Sequence, residues 1–284
     1  MTSKKLLFIF VGLGVLFVSL LVLYINNKQE APKEQPIAKK TEQGGQSKNT
    51  AEKKPSLVTE QSQPKSQTAK PHPAKKSLVI CIDPGHQRKA DLATEPVGPG
   101  AMTEKIKVTG GTTGVTTGKP EYVLNLEASL ILGKILKQRG YEVVYTRTTN
   151  DVNLSNIRRA EIANQHHADL FIRIHADGST NRNISGFSIL TTSSKNPYTQ
   201  TIYQESLQAG ESILAAVKGS GETKVNGISY RDDMSGLNWA KVPAILIEMG
   251  FMTNPQEDQN LSNGDYLTKL MTEVSDGIDA FTNK

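Results

Sequence analysis

From Ser77 onward, short apolar runs alternate with segments of helical periodicity, and this alternation limits the possible folds more than any other feature. Strands are predicted at 78–82, 141–146, 169–175, 186–190 and 243–249, and helices at 124–137, 154–167, 198–217 and 266–281. Continuous apolar runs are typical of strands that are buried on both faces. The pattern therefore predicts an α/β fold, a three-layer sandwich with helices on both faces of a mostly parallel sheet.

The first 76 residues differ in composition from the rest and are assigned to two further segments. Residues 6–25 are uncharged and largely apolar, and a helix of about 20 residues spans the hydrocarbon core of a bilayer. Lys4 and Lys5 precede this run, so residues 1–26 are predicted to be a cytoplasmic tip and transmembrane anchor, with a cleaved signal peptide as the alternative. Residues 27–76, rich in Lys, Gln and Pro, are predicted to be a disordered tether.

The positive charge of the chain is concentrated in these first two segments. Residues 1–76 contain 13 Lys and 5 Glu, whereas residues 77–284 contain 20 Lys plus Arg and 23 Asp plus Glu. A basic segment just outside a membrane favours attraction to anionic wall polymers or lipid head groups over nucleic-acid binding, with simple solvation of a spacer as the alternative. The lone Cys81 lies in an apolar strand and is predicted to be a core residue without chemistry.

Two histidines follow or close predicted strands, which is where ligands bind in open α/β sheets. His86 follows the first strand and His175 closes the third, so a shared metal site is favoured over two structural histidines. Glu121, at the start of the first long helix, is a candidate third ligand, with helix capping as the alternative. Glu248 ends an apolar strand, where an unpaired charge is costly. It is interpreted as a general base or as one partner of a salt bridge.

Two imidazoles and one carboxylate, with a fourth position open to water, are typical of a hydrolytic zinc site. Zinc polarises a carbonyl oxygen and lowers the pKa of its water to about 7. A carboxylate outside the ligand set can accept the proton of that water and pass it to the leaving nitrogen. The residues thus favour a zinc site formed by His86, Glu121 and His175, with Glu248 as the candidate catalytic base.

At these positions the sequence resembles the zinc-dependent N-acetylmuramoyl-L-alanine amidases of the type 3 family, over residues 78–283. The matching motifs are Ile82-Asp83-Pro84-Gly85-His86, Glu121 with Leu124-Asn125-Leu126, Ile174-His175-Ala176, and Ile247-Glu248-Met249-Gly250-Phe251 with Asn254-Pro255. Arg147 and Arg159 also fit the family pattern. The resemblance implies an α/β sheet of about six strands, one zinc ion, and hydrolysis of the amide between N-acetylmuramic acid and L-alanine in peptidoglycan. Glu248 would then act as base and acid.

Under this interpretation, residues 77–284 form an extracytoplasmic catalytic amidase domain, held at the cell membrane by a single-pass anchor, with peptidoglycan as its substrate. Three alternatives stay open. The domain could be a zinc peptidase or carboxypeptidase that acts within the stem peptide, because the same chemistry cleaves any amide. It could also be a catalytically inactive wall-binding module, or the chain could be a purely structural membrane-anchored protein. The presence of all four expected site residues favours an active enzyme.

Two features depart from the family pattern. The stretch between His86 and Glu121 is long and rich in Gly and Thr, and long loops within compact domains are often functional. It is predicted to form a flap or hairpin over the cleft, with an inert surface loop as the alternative. Arg173 shares a strand face with His175. It is a tentative substrate-binding residue for a carboxylate of the stem peptide, or else it pairs with a buried acid such as Glu248.

Overall fold

The computed structural model describes residues 77–283, which form eight strands and six helices. The strands are β1 (Val79–Pro84), β2 (Asp91–Pro96), β3 (Glu104–Val108), β4 (Glu142–Tyr145), β5 (Leu170–Asp177), β6 (Phe187–Thr191), β7 (Val225–Tyr230) and β8 (Ala244–Phe251). The helices are α1 (Glu121–Gln138), α2 (Asn156–Gln165), α3 (Tyr203–Ser220), α4 (Ser235–Asn238), α5 (Pro255–Leu261) and α6 (Gly264–Thr282).

The predicted anchor at 1–26 and the predicted tether at 27–76 lie outside the described residues. Within residues 77–283, no helix combines the length and the apolar character needed to cross a membrane.

Six strands form one sheet in the order β4-β1-β5-β8-β6-β7. The four strands β4, β1, β5 and β8 run parallel to one another. Strand β6 is antiparallel to β8, and β7 is parallel to β6. The prediction of a mostly parallel sheet of about six strands is therefore confirmed. The carboxyl ends of β1, β5 and β8, which carry the predicted site residues, lie next to one another at one edge.

Helices cover both faces of this sheet, as the strand–helix alternation predicts. Alternate residues of a strand point to opposite faces, so Ile80 and Ile172 pack with α1, α3 and α6, whereas Cys81 and Phe171 pack with α2 and α4. All four side chains are fully buried. Cys81 is a free cysteine in the core, in agreement with its predicted structural role.

The sequence predicts a flap or hairpin between His86 and Glu121, where the β2–β3 hairpin forms, but neither the bounds of these strands nor β7, α4 and α5. Strands β2 and β3 form a separate antiparallel hairpin in which most side chains are exposed or half-buried, and β7 is an edge strand of the same character. Because their outer faces meet water, these strands lack the apolar runs that mark β1 and β5. Helices α4 and α5 have only 4 and 7 residues, too few to show a helical period.

Candidate metal centre

His86 lies in a loop after β1 whose backbone carbonyl groups are held by two buried arginines. Arg147 donates hydrogen bonds to the carbonyl oxygens of Pro84 (2.8 Å) and Gly85 (2.9 Å). Arg159 donates to those of Pro84 (2.8 Å) and His86 (3.0 Å). The φ angle of His86 is +58°, a left-handed conformation that costs a non-glycine residue about 1–2 kcal/mol. The arginines therefore fix a strained backbone at the point where the imidazole leaves the loop.

The imidazole of His86 is oriented by the long loop that precedes α1. Its Nδ1 lies 2.9 Å from the carbonyl oxygen of Thr109. Because a carbonyl can only accept a hydrogen bond, Nδ1 carries the proton and Nε2 offers a lone pair. Nε2 lies 3.2 Å from Oε1 of Glu121, and Nδ1 of His175 lies 3.3 Å from the same oxygen. One ligand atom from each of the three residues lies within 4.8 Å of the others, a group that could hold a metal ion.

Glu121 is the first residue of α1, yet its side chain faces the pocket and does not cap the helix. Oε2 accepts a hydrogen bond from the amide of Thr112 (2.8 Å), and Oε1 accepts from Asn125 Nδ2 (3.0 Å) and the amide of Ala176 (3.2 Å). Burial acts to raise the pKa of Glu121, but its close contacts with His175 and His86 outweigh burial and hold the pKa well below its usual range. Glu121 is therefore a charged carboxylate, as a ligand must be.

His175, near the end of β5, is a buried and neutral imidazole. Burial is the main reason why its pKa falls to about 4, and Glu121 only partly offsets that effect. A neutral ring keeps the lone pair that a metal ligand needs. Its Nε2 is buried without a hydrogen-bond partner among residues 77–283. Gly85 is required beside this ring, because a Cβ there would lie 2.3 Å from it.

Glu248 lies on β8 directly beside His175, because the two residues are paired in the β5–β8 register. It forms no salt bridge within residues 77–283, and its Oε2 is buried without a hydrogen-bond partner there. Burial, followed by the negative charges of Glu121 and Asp177, raises the pKa of Glu248 well above its usual range. A carboxyl group of this kind accepts and releases a proton more readily near neutral pH than an ordinary glutamate does.

These four residues line one pocket of about 480 Å³, the metal pocket, which also includes Gly111, Thr112 and Asp177. The structure thus brings together every residue predicted for metal binding and catalysis. Two imidazoles, a charged carboxylate and two buried polar atoms without partners fit a zinc ion with an open coordination position.

The long loop before Glu121, for which a flap over the cleft is predicted, forms one wall of this pocket through Gly111 and Thr112, residues that no sequence motif marks. Gly111 lies so close to Glu121 that a Cβ would be 2.5 Å from Oε2, and its φ angle is +78°. Further along, the amides of Thr116 (2.7 Å) and Thr117 (2.8 Å) donate to the buried carboxylate of Asp258 in α5. The loop is thus anchored to the core at one end and to the metal pocket at the other. No sequence motif marks Asp258 for this function.

Arg173 is buried and pairs with Asp83, not with Glu248. Its Nε donates to Oδ2 of Asp83 (2.8 Å) and its Nη2 to Oδ1 of Asn156 (2.6 Å). Arg159 binds the other oxygen of Asp83 at 2.8 Å. Burial acts to raise the pKa of Asp83, but the two guanidinium groups outweigh it and hold the pKa below its usual range. The expected pairing of Arg173 with a buried acid is therefore present, with a different acid as the partner.

We expect Gly111→Ala to weaken zinc binding at least tenfold, because its Cβ would displace Glu121 and because alanine is strained at a φ of +78°. Gly110→Ala is a matched control, since a Cβ at this neighbouring position has nothing within 4 Å. Competition titration with a zinc chelator measures both affinities. Equal affinity in the two variants would show that close approach at Gly111 does not position Glu121.

We expect Asp83→Asn to lower the free energy of unfolding at pH 7 by about 3–5 kcal/mol, because it leaves two buried guanidinium groups without a counterion. The folded-state pKa of Asp83 is depressed, so its stabilisation is present above the unfolded-state pKa of about 3.9 and is lost as the pH falls through the folded-state value.

The difference in unfolding free energy between native protein and Asp83→Asn should therefore shrink in acid, as measured by urea denaturation at pH 7 and at pH 3. Asp151→Asn is the control, because Asp151 is exposed in its pair with Arg88 and should contribute less than about 1 kcal/mol. A pH-independent difference for Asp83→Asn would contradict the assignment of a charged Asp83.

Comparison with known proteins assigns the chain to a family. Residues 80–280 match the family model described as N-acetylmuramoyl-L-alanine amidase. An N-acetylmuramoyl-L-alanine amidase of Mycobacterium tuberculosis is 28% identical over 213 residues, covering 72% of this chain and 86% of that protein. The amidase AmiA of Escherichia coli is 26% identical over 250 residues, covering 72% of this chain and 77% of its own.

Solved structures agree with this assignment. The crystal structure of the N-acetylmuramyl-L-alanine amidase Ami1 from Mycobacterium smegmatis superposes with a TM-score of 0.66 at 25% identity, covering 72% of this chain and 97% of that one. Ami1 from Mycobacterium abscessus superposes equally well, at 26% identity. With this fold, this pocket and a family match over most of its length, the chain belongs to the N-acetylmuramoyl-L-alanine amidase family.

Proposed function

We propose that the folded domain is a zinc-dependent hydrolase that cleaves the amide between N-acetylmuramic acid and L-alanine in peptidoglycan. The observation that supports this most directly is the convergence of His86, Glu121 and His175 in the pocket that also contains the partnerless carboxyl of Glu248. Membership of the amidase family supports the choice of this amide over a bond within the stem peptide.

His86, Glu121 and His175 would hold the zinc ion. Bound zinc supplies Lewis acidity, which polarises the substrate carbonyl and makes water acidic enough to attack near neutral pH. The protein contributes fixed positions for these donors. The carbonyl of Thr109 fixes the ring of His86, and the amides of Thr112 and Ala176 fix the carboxylate of Glu121. Such contacts behind the ligands commonly change metal affinity by about 10- to 100-fold.

Glu248 accepts the proton of the attacking water and delivers it to the nitrogen of the leaving L-alanine. Burial and the neighbouring acids raise its pKa above that of an ordinary glutamate, which makes it a stronger proton acceptor, as a group that acts first as base and then as acid requires. Its position beside His175, with one oxygen free of hydrogen bonds, leaves it available for this transfer.

We expect Glu248→Gln to lower the rate of wall hydrolysis by roughly 10²–10⁴-fold while zinc binding persists, because the amide cannot accept a proton. Purified peptidoglycan is the substrate, bound zinc is measured in parallel, and Glu161→Gln, a substitution at an exposed glutamate of α2, is the control. A chelator should abolish activity in the native protein.

Product analysis separates the amidase from its alternatives. Intact stem peptides with a free L-alanine amine are expected. Shortened peptides would indicate a peptidase, and wall hydrolysis that survives Glu248→Gln would contradict the function assigned to this residue. Tight binding of wall fragments without any turnover would indicate a wall-binding module.

We further propose that residues 1–26 anchor the protein in the cell membrane, with residues 27–76 as a basic tether and the catalytic domain on the wall side. The support is the uncharged apolar run at 6–25 and the pair Lys4 and Lys5 that precedes it on the cytoplasmic side. The tether would also meet anionic wall polymers. Cell fractionation tests this topology: the full chain should sediment with membranes, and recovery of the intact chain in the soluble fraction would contradict it.

A further inference from the structure

A second cleft, of about 440 Å³, lies beside the metal pocket. One wall comes from the β2–β3 hairpin, including Lys105, and the opposite wall comes from the segment after β7, including Arg231 and Gly236. Thr109 also lines this cleft, and its carbonyl oxygen accepts the hydrogen bond of His86. Thr109 lines the second cleft and Gly111 lines the metal pocket, so these two cavities share one short segment of the loop.

Arg173 lines the cleft and retains unused hydrogen-bonding capacity. Its Nε and Nη2 bind Asp83 and Asn156, whereas its Nη1 forms no hydrogen bond within residues 77–283. Nη1 lies against Gly236, where a Cβ would be only 2.2 Å away. Because Arg173 and His175 are two residues apart on the same face of β5, their Cα atoms are about 6.5 Å apart. The cleft thus begins within one side-chain length of the metal centre.

Arg231 is the second guanidinium group of the cleft, and it is almost half exposed. Its Nε (2.8 Å) and Nη2 (3.1 Å) donate to Asp233, and its Nη1 forms no hydrogen bond within the described part of the chain. Asp177 and Glu248, which line the metal pocket, are close enough to act on it electrostatically. Arg231 therefore lines the second cleft within electrostatic range of the acids of the metal pocket.

The charges of the cleft favour an anion. Three cationic side chains line it against two carboxylates, Glu104 and Asp233. Asp233 accepts hydrogen bonds from both Lys105 and Arg231, so it links the hairpin to the segment after β7. Glu104 is engaged by Thr94 on the neighbouring strand. Two unused guanidinium nitrogens remain, and guanidinium groups bind planar carboxylates better than other cations do.

The chemistry of the substrate identifies which carboxylate would bind. This step rests on the proposed function. The lactyl carboxyl of N-acetylmuramic acid is consumed in the scissile amide, so the muramic acid offers no free carboxylate there. Free carboxylates lie on the leaving side, in the stem peptide beyond L-alanine. We propose that Arg173 and Arg231 form a subsite that binds the carboxylate of the first acidic residue after L-alanine, which directs the leaving peptide into this cleft.

A pair of muramoyl-peptides tests the subsite. The two substrates differ only at the first acidic residue, which carries a free carboxylate in one and a carboxamide in the other. The native protein should cleave the carboxylate form with a kcat/KM about tenfold higher, the effect of one charge-assisted hydrogen bond. In Arg231→Gln this ratio should fall towards one, and in Arg231→Lys, which keeps the charge without the planar fork, it should be intermediate.

Arg158→Gln is the matched control for Arg231→Gln. The Arg158 side chain is 47% exposed and that of Arg231 is 46% exposed, and each is paired with one neighbouring acid. The Arg158→Gln variant should keep the native preference for the carboxylate substrate. Calorimetric titration of the native protein with the free stem peptides, in carboxylate and carboxamide forms, gives a second readout that does not depend on turnover.

The outcomes separate the two proposals. Cleavage of both substrates with equal kcat/KM by the native protein, or an unchanged ratio in Arg231→Gln, would overturn the subsite and leave the amidase function intact. Absence of cleavage of either substrate by the zinc-loaded native protein would overturn the amidase function and, with it, the subsite. A preference of about tenfold that is lost in Arg231→Gln and kept in Arg158→Gln would support the subsite.

Discussion

The buried ion pairs of Asp83 are the interaction on which the site depends. Asp83 lies near the carboxyl end of the buried strand β1 and binds Arg159 and Arg173. Each arginine also contacts a group outside this pair. Arg159 continues to the carbonyl of His86, and Arg173 continues to the second cleft. A charge buried at this depth is tolerable only because it is paired and hydrogen-bonded. The same pairs connect the core of the sheet to the loop that presents the first metal ligand.

In the metal pocket, the surroundings of three ionisable side chains set a different protonation state for each. Glu121 stays charged, although it is buried, because the amides of Thr112 and Ala176 donate hydrogen bonds to its carboxylate. His175 stays neutral because burial outweighs its carboxylate neighbour, and Glu248 is driven towards its protonated form because it is buried next to other acids. Metal ligation and proton transfer require such differences, and here the fold provides them before any substrate arrives.

Much of the fold could be predicted, because burial leaves a direct trace in sequence. Strands such as β1 and β5 begin with apolar runs and are buried along almost their whole length, and α1 carries an apolar stripe. The hairpin β2–β3 and the edge strand β7 leave no such trace, since their outer faces meet water. The same limit applies to the site: His86, His175 and Glu248 could be found from their places at strand ends, whereas Gly111, Asp258 and Arg231 follow no periodicity.

The sequence by itself determined the α/β class and the positions of His86 and His175 at strand ends, and it predicted Glu248 as the catalytic residue, because these follow from local periodicity and from motifs of a few residues. Only the tertiary structure decided that Arg173 pairs with Asp83, that the loop before α1 forms the wall of the metal pocket, and that Arg231 lines the second cleft. Such contacts can join residues far apart in the sequence, 90 positions in the case of Arg173 and Asp83. Their geometry is set by the packing of strands and loops, which no local pattern records.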